Sequence, residues 1–551
     1  MSEAQVPVSS ADSGRGAEDR QGKREAPGAH WLPGFFLSAV VFLLLAARLD
    51  FLCDDAFISF RYARHLAEGK GLVFNPAREI PVEGYSNFLW VVYLALCSSL
   101  GLSIPLMSKV GAVLCGLALL AHVHHMAANE LRLSRVGTAA CGLFVASLPP
   151  VALWATGGLA ALPMTLAIFA AYRALLHSKA GATGVRAGIW LAVACLMRAD
   201  GMVWAAMLLA SGGLLWLLEG RPAQRLRPLL LAAGIVAVVV GSHFGWRYSY
   251  YGDWLPNTAR VKAGFSWSRL DRGLDYVVAW LLLLPSVSLL LLLAARRPAR
   301  ATLNLWLPAT TVILGSLAYA IWVGGDFMPF GRFLMPVIPF LAIPFASAWA
   351  RGESRAQSVS LLGTGTLIAL SVLACLDVNV VPRSTLESFH FRRDRSFQTE
   401  IERRDDMARN TRKWTWIGRA LGEHTDASES IILGGIGAAS FYSELFVYDL
   451  YGLVTPEVLE RGEVRENASP GHDRRVNEPV FFEDEPTYLR AILGYVGDGE
   501  WPWWADRLPG NWETHPFRKT VRDVHIPLSA ADGFPADSEL ILFRFHWADA
   551  Q

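Results

Sequence analysis

This chain has little charge for its length. Only 18% of its 551 residues are Asp, Glu, Lys or Arg, 53% are hydrophobic, and the two signs nearly cancel to a formal net charge of +1. A soluble globular protein rarely combines so apolar a composition with so little charge. No basic tract stands out, which argues against a nucleic-acid partner. Cysteine is scarce as well. The six are Cys53, Cys97, Cys115, Cys141, Cys195 and Cys375, all in or beside apolar segments. None lies beyond Cys375, so the polar C-terminal part holds no disulfide, and no CxxC or Cys/His spacing suggests zinc. No fixed-period repeat is visible, which removes support for an inverted-repeat transporter.

Long apolar runs, in contrast, recur from Phe35 to Ala374, each able to cross roughly 30 Å of hydrocarbon. Window length places spans near 32–50, 106–127, 136–153, 158–177, 187–200, 202–218, 228–247, 276–294, 303–323, 333–349 and 358–377. The chain therefore reads as mainly α, a polytopic transmembrane helical bundle of about eleven spans. Residues 1–30 are polar and read as a disordered cytoplasmic tail. The first apolar run is an uncleaved span, not a signal peptide. Residues 31–380 form the membrane domain, with a first extracytoplasmic loop over 51–105. From 381 to 551 the composition turns polar and predicts a small α/β extracytoplasmic domain.

Arginine decides the orientation. Short connections carry Arg132 and Arg135; Lys179 and Arg186; Arg221, Arg225 and Arg227; Arg296, Arg297 and Arg300; Arg351 and Arg355. The positive-inside rule puts them in the cytoplasm, provided that "SNFLWVVYLALCSSLGL" (86–102) does not cross. The other face then collects "CDDAFISFRYARHL", "WATGGLAAL", "MRADG", "YYGDWLPNTARVK" and "GGDFMPFGRF".

Asp54 and Asp55 are adjacent where the first apolar run stops. A helix starting there predicts an amphipathic element at the membrane interface, its arginines meeting headgroups. Snorkelling arginines on an ordinary juxtamembrane helix are the plainer alternative. A carboxylate in a polar cavity at membrane depth is costly and usually functional, and one of an adjacent pair suits a general base. Helix capping is the competing role. Asp253, Asn257, Arg260, Lys262, Asp326 and Arg332 fall on the same face, in Gly- and Pro-rich turns. Cations beside aromatics suit a lipid-linked phosphate. Arg198 and Asp200 end a span and could simply pair. His122, His124 and His125 lie at a cytoplasmic span end with no evident acidic partner.

"DDAFISFRYARHLAEGKGLVFNP" with "VEGYSNFLW" resembles the first loop of a branch of the GT-C glycosyltransferases. "YYGDWLPNT", "GGDFMPFGRFLMP", "DLYGLVTPEV" and "PGHDRR" look like its later motifs. The best-known members are bacterial cell-wall terminal arabinofuranosyltransferases. The resemblance implies an enzyme of the bacterial plasma membrane that moves a sugar from a polyprenyl-phosphate donor. Arabinofuranose is one candidate sugar; the acceptor would be an extracytoplasmic glycan, glycolipid or protein.

By position, Asp54 or Asp55 would be the base, with Asp54 favoured. Arg61, Arg260, Lys262 and Arg332 would meet the donor phosphate and lipid. Tyr62, Glu83, Tyr85, Asn257, Asp326, Tyr442 and His472 would bind sugar or acceptor. No metal ligand is assigned, and a divalent cation is left open as a cofactor. One departure stands out: Ala160 occupies the place of a carboxylate that members commonly carry. Two rival readings are a lipid-linked-sugar flippase and a catalytically silent assembly protein.

The segment "FRRDRSFQTEIERRDDMARNTRKW" predicts an amphipathic, solvated helix. "SIILGGIGAASFYSELFVYDLYGL" reads as strand, Gly turn, short helix and strand. Seven tryptophans lie beyond Lys413, suited to sugar stacking, a core or the membrane.

Overall fold

The computed structural model describes residues 30–547 except 177–180, 262–263, 265, 296–302, 350–353, 466–467, 509–516 and 518–519. Helices dominate its first two thirds. Among the described residues, five are long and apolar enough to cross a membrane: Ile104–Asn129, Gly201–Leu218, Ala223–Tyr251, Leu303–Trp322 and Ser358–Cys375. Trp267–Leu283 and Pro285–Ala294 meet at a bend of 89°, making a sixth if the pair is one broken span. Other apolar runs form shorter helices, and proline explains several of the breaks. The run 136–153 is split between Arg135–Ser147 and Pro149–Trp154 at Pro149-Pro150. Pro336 and Pro339 hold Arg332–Leu341 in tight 3₁₀ turns, since proline cannot donate to the α-helical ladder. The ambiguous run 86–102 holds only a twelve-residue helix, Phe88–Ser99.

Beyond these helices lies a five-stranded mixed sheet, in spatial order Phe446–Asp449, Ser430–Leu433, Tyr488–Tyr495, Ser538–Phe545, Val521–Pro527. The first two pairings are parallel and the last two antiparallel. Ala438–Ser443 is the short crossover helix between the parallel strands 430–433 and 446–449. Asn75, from the first large loop, closes the exposed edge of Phe446–Asp449. Its amide donates to the Val447 carbonyl (2.9 Å) and accepts from the Val447 N–H (3.1 Å), as a neighbouring strand would.

Packing corrects one expectation and refines another. Helix Asp54–Ala67 starts with two carboxylates, which favours the positive end of the helix dipole. It is not an interfacial helix, however. Residues 56–63 are all buried, wedged between the membrane helices and Ala438–Ser443. Helix Glu400–His424 starts in a capping box between Thr399 and Glu402, which satisfies two otherwise orphaned amides. Its buried face carries charged as well as apolar side chains. Glu400, Arg403 and Arg404 are buried, and the Glu400 carboxylate takes the Arg392 guanidinium at 3.0 Å and the Phe330 amide. That carboxylate supports from below the turn carrying Asp326 and Arg332.

Candidate active site

A cavity of about 600 Å³ opens where the irregular segments meet, within the range of about 300–1,000 Å³ usual for small-molecule sites. Its walls come from five regions: 55–59 and 84–87 of the first loop, 159–160, 198–200, the stretch between 258 and 333, and 453 with 470–473 of the sheet unit. Close approach explains the glycines there. Gly158 has φ +85°, and a Cβ on it would lie 2.7 Å from Ala56 Cβ. The turn 156–159 therefore packs directly on the helix that bears Asp55.

The electrostatics follow a pattern of paired charges. Arg332 grips Asp326 through Nε (2.8 Å) and Nη2 (3.1 Å). Arg198 grips Asp200 likewise at 2.9 and 2.8 Å. Asp473 takes Arg272 at 2.9 Å and Arg269 at 3.4 Å. The Phe333 ring lies between two of these forks, 5.4 Å from the Arg332 guanidinium and 5.6 Å from that of Arg198. Four aspartates line the cavity, and among the described residues Asp55 alone of the four has no hydrogen-bond or ion-pair partner.

Asp54 points elsewhere. Its carboxylate accepts from Gly437 N–H (3.1 Å) and Ala438 N–H (2.8 Å). Burial pushes its pKa up to about 6, against the pull of those amides and with a further push from Asp55. It is not a cavity-lining residue. Arg61 is likewise withdrawn. Fully buried, it donates to the carbonyls of Phe74 (2.8 Å), Ser440 (2.6 Å) and Leu445 (2.7 Å).

Tyr62 donates to Val82 O (2.5 Å) and accepts from Gly84 N–H (2.8 Å). Glu83 is ion-paired to Arg247 at 2.6 Å, and burial raises its pKa to about 7 despite that cation. Asn257 donates to the carbonyls of Gly452 and Leu453. Arg260 pairs with Asp253 at the surface. Tyr442 packs against Phe57 and Phe441. His472 lies between the rings of Phe327 and Tyr451. Lys262 falls outside the described residues.

The structure thus brings Asp55, Tyr85, Asp326 and Arg332 to the cavity, and the other described candidates are not among its lining residues. Sequence reasoning passed over Arg198 and Asp200, which pair as suspected yet line the cavity, and missed Arg269 and Asp473. The signal available was proximity to Gly-rich turns on the same face. Ala160 lines the wall beside Asp55 with 1% exposure. At the opposite end of the helices, His122 and His125 do have a charged neighbourhood. Arg173 contacts both rings and Glu130. For a metal, the described residues hold no group of three or more His, Cys, Asp or Glu side chains able to chelate one.

Apolar helices of spanning length and this arrangement of loops define an integral membrane protein with the fold of the GT-C glycosyltransferases. Particular solved structures share it. ArnT from Cupriavidus metallidurans bound to undecaprenyl phosphate superposes with a TM-score of 0.56 at 12% identity, over 93% of this chain and 98% of that one. The archaeal oligosaccharyltransferase AglB from Archaeoglobus fulgidus, in complex with an inhibitory peptide and a dolichol-phosphate, gives 0.50 at 11%, over 77% and 65%. The arabinofuranosyltransferase AftD from Mycobacteria gives 0.50 at 14%, over 93% and 40%. At such identities the likeness is one of fold. A profile described as a domain of unknown function (DUF8728) matches residues 400–532. No curated protein sequence matches the chain.

Proposed function

We propose that this protein is a glycosyltransferase that moves a sugar from a polyprenyl-phosphate donor to an acceptor hydroxyl, with Asp55 as the base. The observation that carries this reading is that, among the described residues, Asp55 is the one unpaired carboxylate in a cavity whose other three aspartates are each tied to arginine. A base needs an accessible carboxylate, and an ion-paired one is a poorer proton acceptor.

In the reaction, Asp55 takes the proton of the acceptor O–H and that oxygen bonds to the anomeric carbon. The carbon–oxygen bond to phosphate breaks, its electron pair passing to the leaving phosphate. Charge grows on that phosphate, so fixed cations lower the barrier. Arg332 is the cation proposed for this task. Asp326 uses only two of the five N–H donors of its guanidinium, which leaves donors to share with the phosphate.

Arabinofuranose remains the sugar favoured by the motif resemblance, and the acceptor is a glycan, glycolipid or protein. The cavity is assigned to the extracytoplasmic side of a bacterial plasma membrane. The residue division stays as proposed, with residues 381–551 as the soluble unit. The test is transfer by the purified full chain in lipid nanodiscs, with Asp55→Asn as the variant. Donor binding should persist while product formation drops by about 10²-fold or more, the scale of a lost general base. Transfer at the parental rate would rule Asp55 out.

A second reading keeps one specific support. Ala160 leaves the wall beside Asp55 without a carboxylate, as in a silent assembly protein. Such a protein would bind the polyprenyl donor and never release polyprenyl phosphate.

A further inference from the structure

Asp54 and Asp55 share one helical turn but face different partners, about 100° apart around the axis. Asp55 enters the cavity, whereas Asp54 accepts both amides of the peptide that opens Ala438–Ser443. Two turns further along the same face, Arg61 donates to Ser440 O at 2.6 Å and Leu445 O at 2.7 Å. The crossover helix of the sheet unit is thus held at its start by Asp54 and at its end by Arg61. The fit at the first contact is tight: a Cβ on Gly437 would lie 1.9 Å from the Asp54 carbonyl oxygen and 2.6 Å from its Cγ. Residues 453 and 470–473 of the same unit line the cavity opposite.

We infer that Asp54 is a positioning residue: by gripping Gly437 and Ala438 it locks the first turn of Asp54–Ala67 to the sheet unit and so fixes the direction in which Asp55 enters the cavity. The inference rests on the reading of Asp55 as base. It assigns the sheet unit a part in the reaction, because a base displaced by about 1 Å can lose some 10²-fold in rate. Asp54 itself touches neither sugar nor phosphate. The neighbouring carboxylate therefore does its work through peptide 437–438, and a change on the far side of that contact should reproduce its loss.

The experiment uses the full chain in nanodiscs with decaprenyl-phosphoryl arabinose and an arabinan oligosaccharide. Four variants are compared: Asp54→Ala, Gly437→Ala, Asp55→Asn and Asp54→Ala with Asp55→Asn. Expected are kcat losses of about 10- to 100-fold in the first two, with the donor KM unchanged. The double variant should be no slower than Asp55→Asn, because Asp54 acts only through its neighbour. A lowered melting temperature with normal kcat in the folded fraction would mean a merely structural contact and overturn the inference. Should Asp55→Asn abolish transfer while Asp54→Ala and Gly437→Ala turn over normally, the inference fails and the assignment of the base stands. Transfer that survives Asp55→Asn removes the base itself.

A second measurement does not depend on the choice of sugar. The reactivity of an Asp55→Cys thiol toward a membrane-impermeant maleimide reports where that side chain points. Adding Gly437→Ala should change this rate several-fold, and an unchanged rate overturns the proposal even if the arabinose probe is not turned over.

Discussion

Asp326 and Arg332, six residues apart, close a two-pronged ion pair at 2.8 and 3.1 Å over the turn that forms one wall of the cavity. The geometry is planar and directional, which a lysine ammonium cannot reproduce. Arg332→Lys keeps the charge and loses the fork. If the guanidinium also meets the donor phosphate, affinity for polyprenyl phosphate falls by about 10-fold or more, the size of one lost charge-assisted bond of about 1.5 kcal/mol or more. Titration of the purified variant with polyprenyl phosphate decides it; an unaltered Kd would remove Arg332 from the phosphate site.

Arg61 should fail differently. Three carbonyls accept from its buried guanidinium, and bonds to charged groups contribute about 1.5–3 kcal/mol each. Arg61→Met is expected to cost at least about 3 kcal/mol of stability, seen as a lower melting temperature and poorer yield. Protein that does fold should bind polyprenyl phosphate as the parent does. Weakened binding with normal stability would return Arg61 to the donor site.

Gly325 tests the turn beneath Asp326. Its φ is +78°, and a Cβ there would lie 2.8 Å from Tyr276 Cβ. Gly325→Ala combines left-handed backbone strain of about 1–2 kcal/mol with a steric contact that must be relieved. Transfer and thermal stability should fall together. A variant with both parameters intact would show that the turn is less constrained than its packing indicates.

Asp449 supplies a pH test. Its wholly buried carboxylate accepts from the amides of Tyr451, Leu453 and Val454. Burial outweighs those bonds and raises its pKa from 3.8 to about 6. A carboxyl with a raised folded-state pKa takes up its proton more readily in the folded chain. Its contribution to stability is therefore complete below about pH 4 and is lost as the pH climbs through about 6. Melting temperatures of the parent and of Asp449→Asn, compared from pH 4 to 8, should show the parent losing ground over that interval. A difference that moves the other way would mean that the amide bonds dominate.

How much of this was readable in the chain depends on the range of the interaction. Apolar runs announced a membrane protein, and "SIILGGIGAASFYSELFVYDLYGL" announced its strand, helix and strand because those are local patterns. The turns carrying Asp326 and Arg332 stand out by Gly, Pro and charge clustered in loops, and Asp55 by its acidic neighbour where the first apolar run stops. The division of labour between Asp54 and Asp55 was not readable. It depends on Gly437, 383 residues further along, and no local pattern encodes that contact. Arg61 was misjudged for the same reason. On a helical wheel it looks like a solvent- or lipid-facing cation, and only the fold supplies the three carbonyls that bury it. Helix ends were obscured by proline: hydropathy windows run across Pro149-Pro150 and Pro336, where the helix itself stops or tightens.

Sequence separation gives the Arg61 contact a meaning for biogenesis. Two of its three acceptors are 379 and 384 residues downstream, so the ribosome has made and inserted most of the helices before either carbonyl exists. Until then the Phe74 carbonyl is the one acceptor of the three already made. A chain truncated ahead of Ser440 would keep one of the three acceptors, the Phe74 carbonyl, and leave the other donors of the guanidinium without theirs.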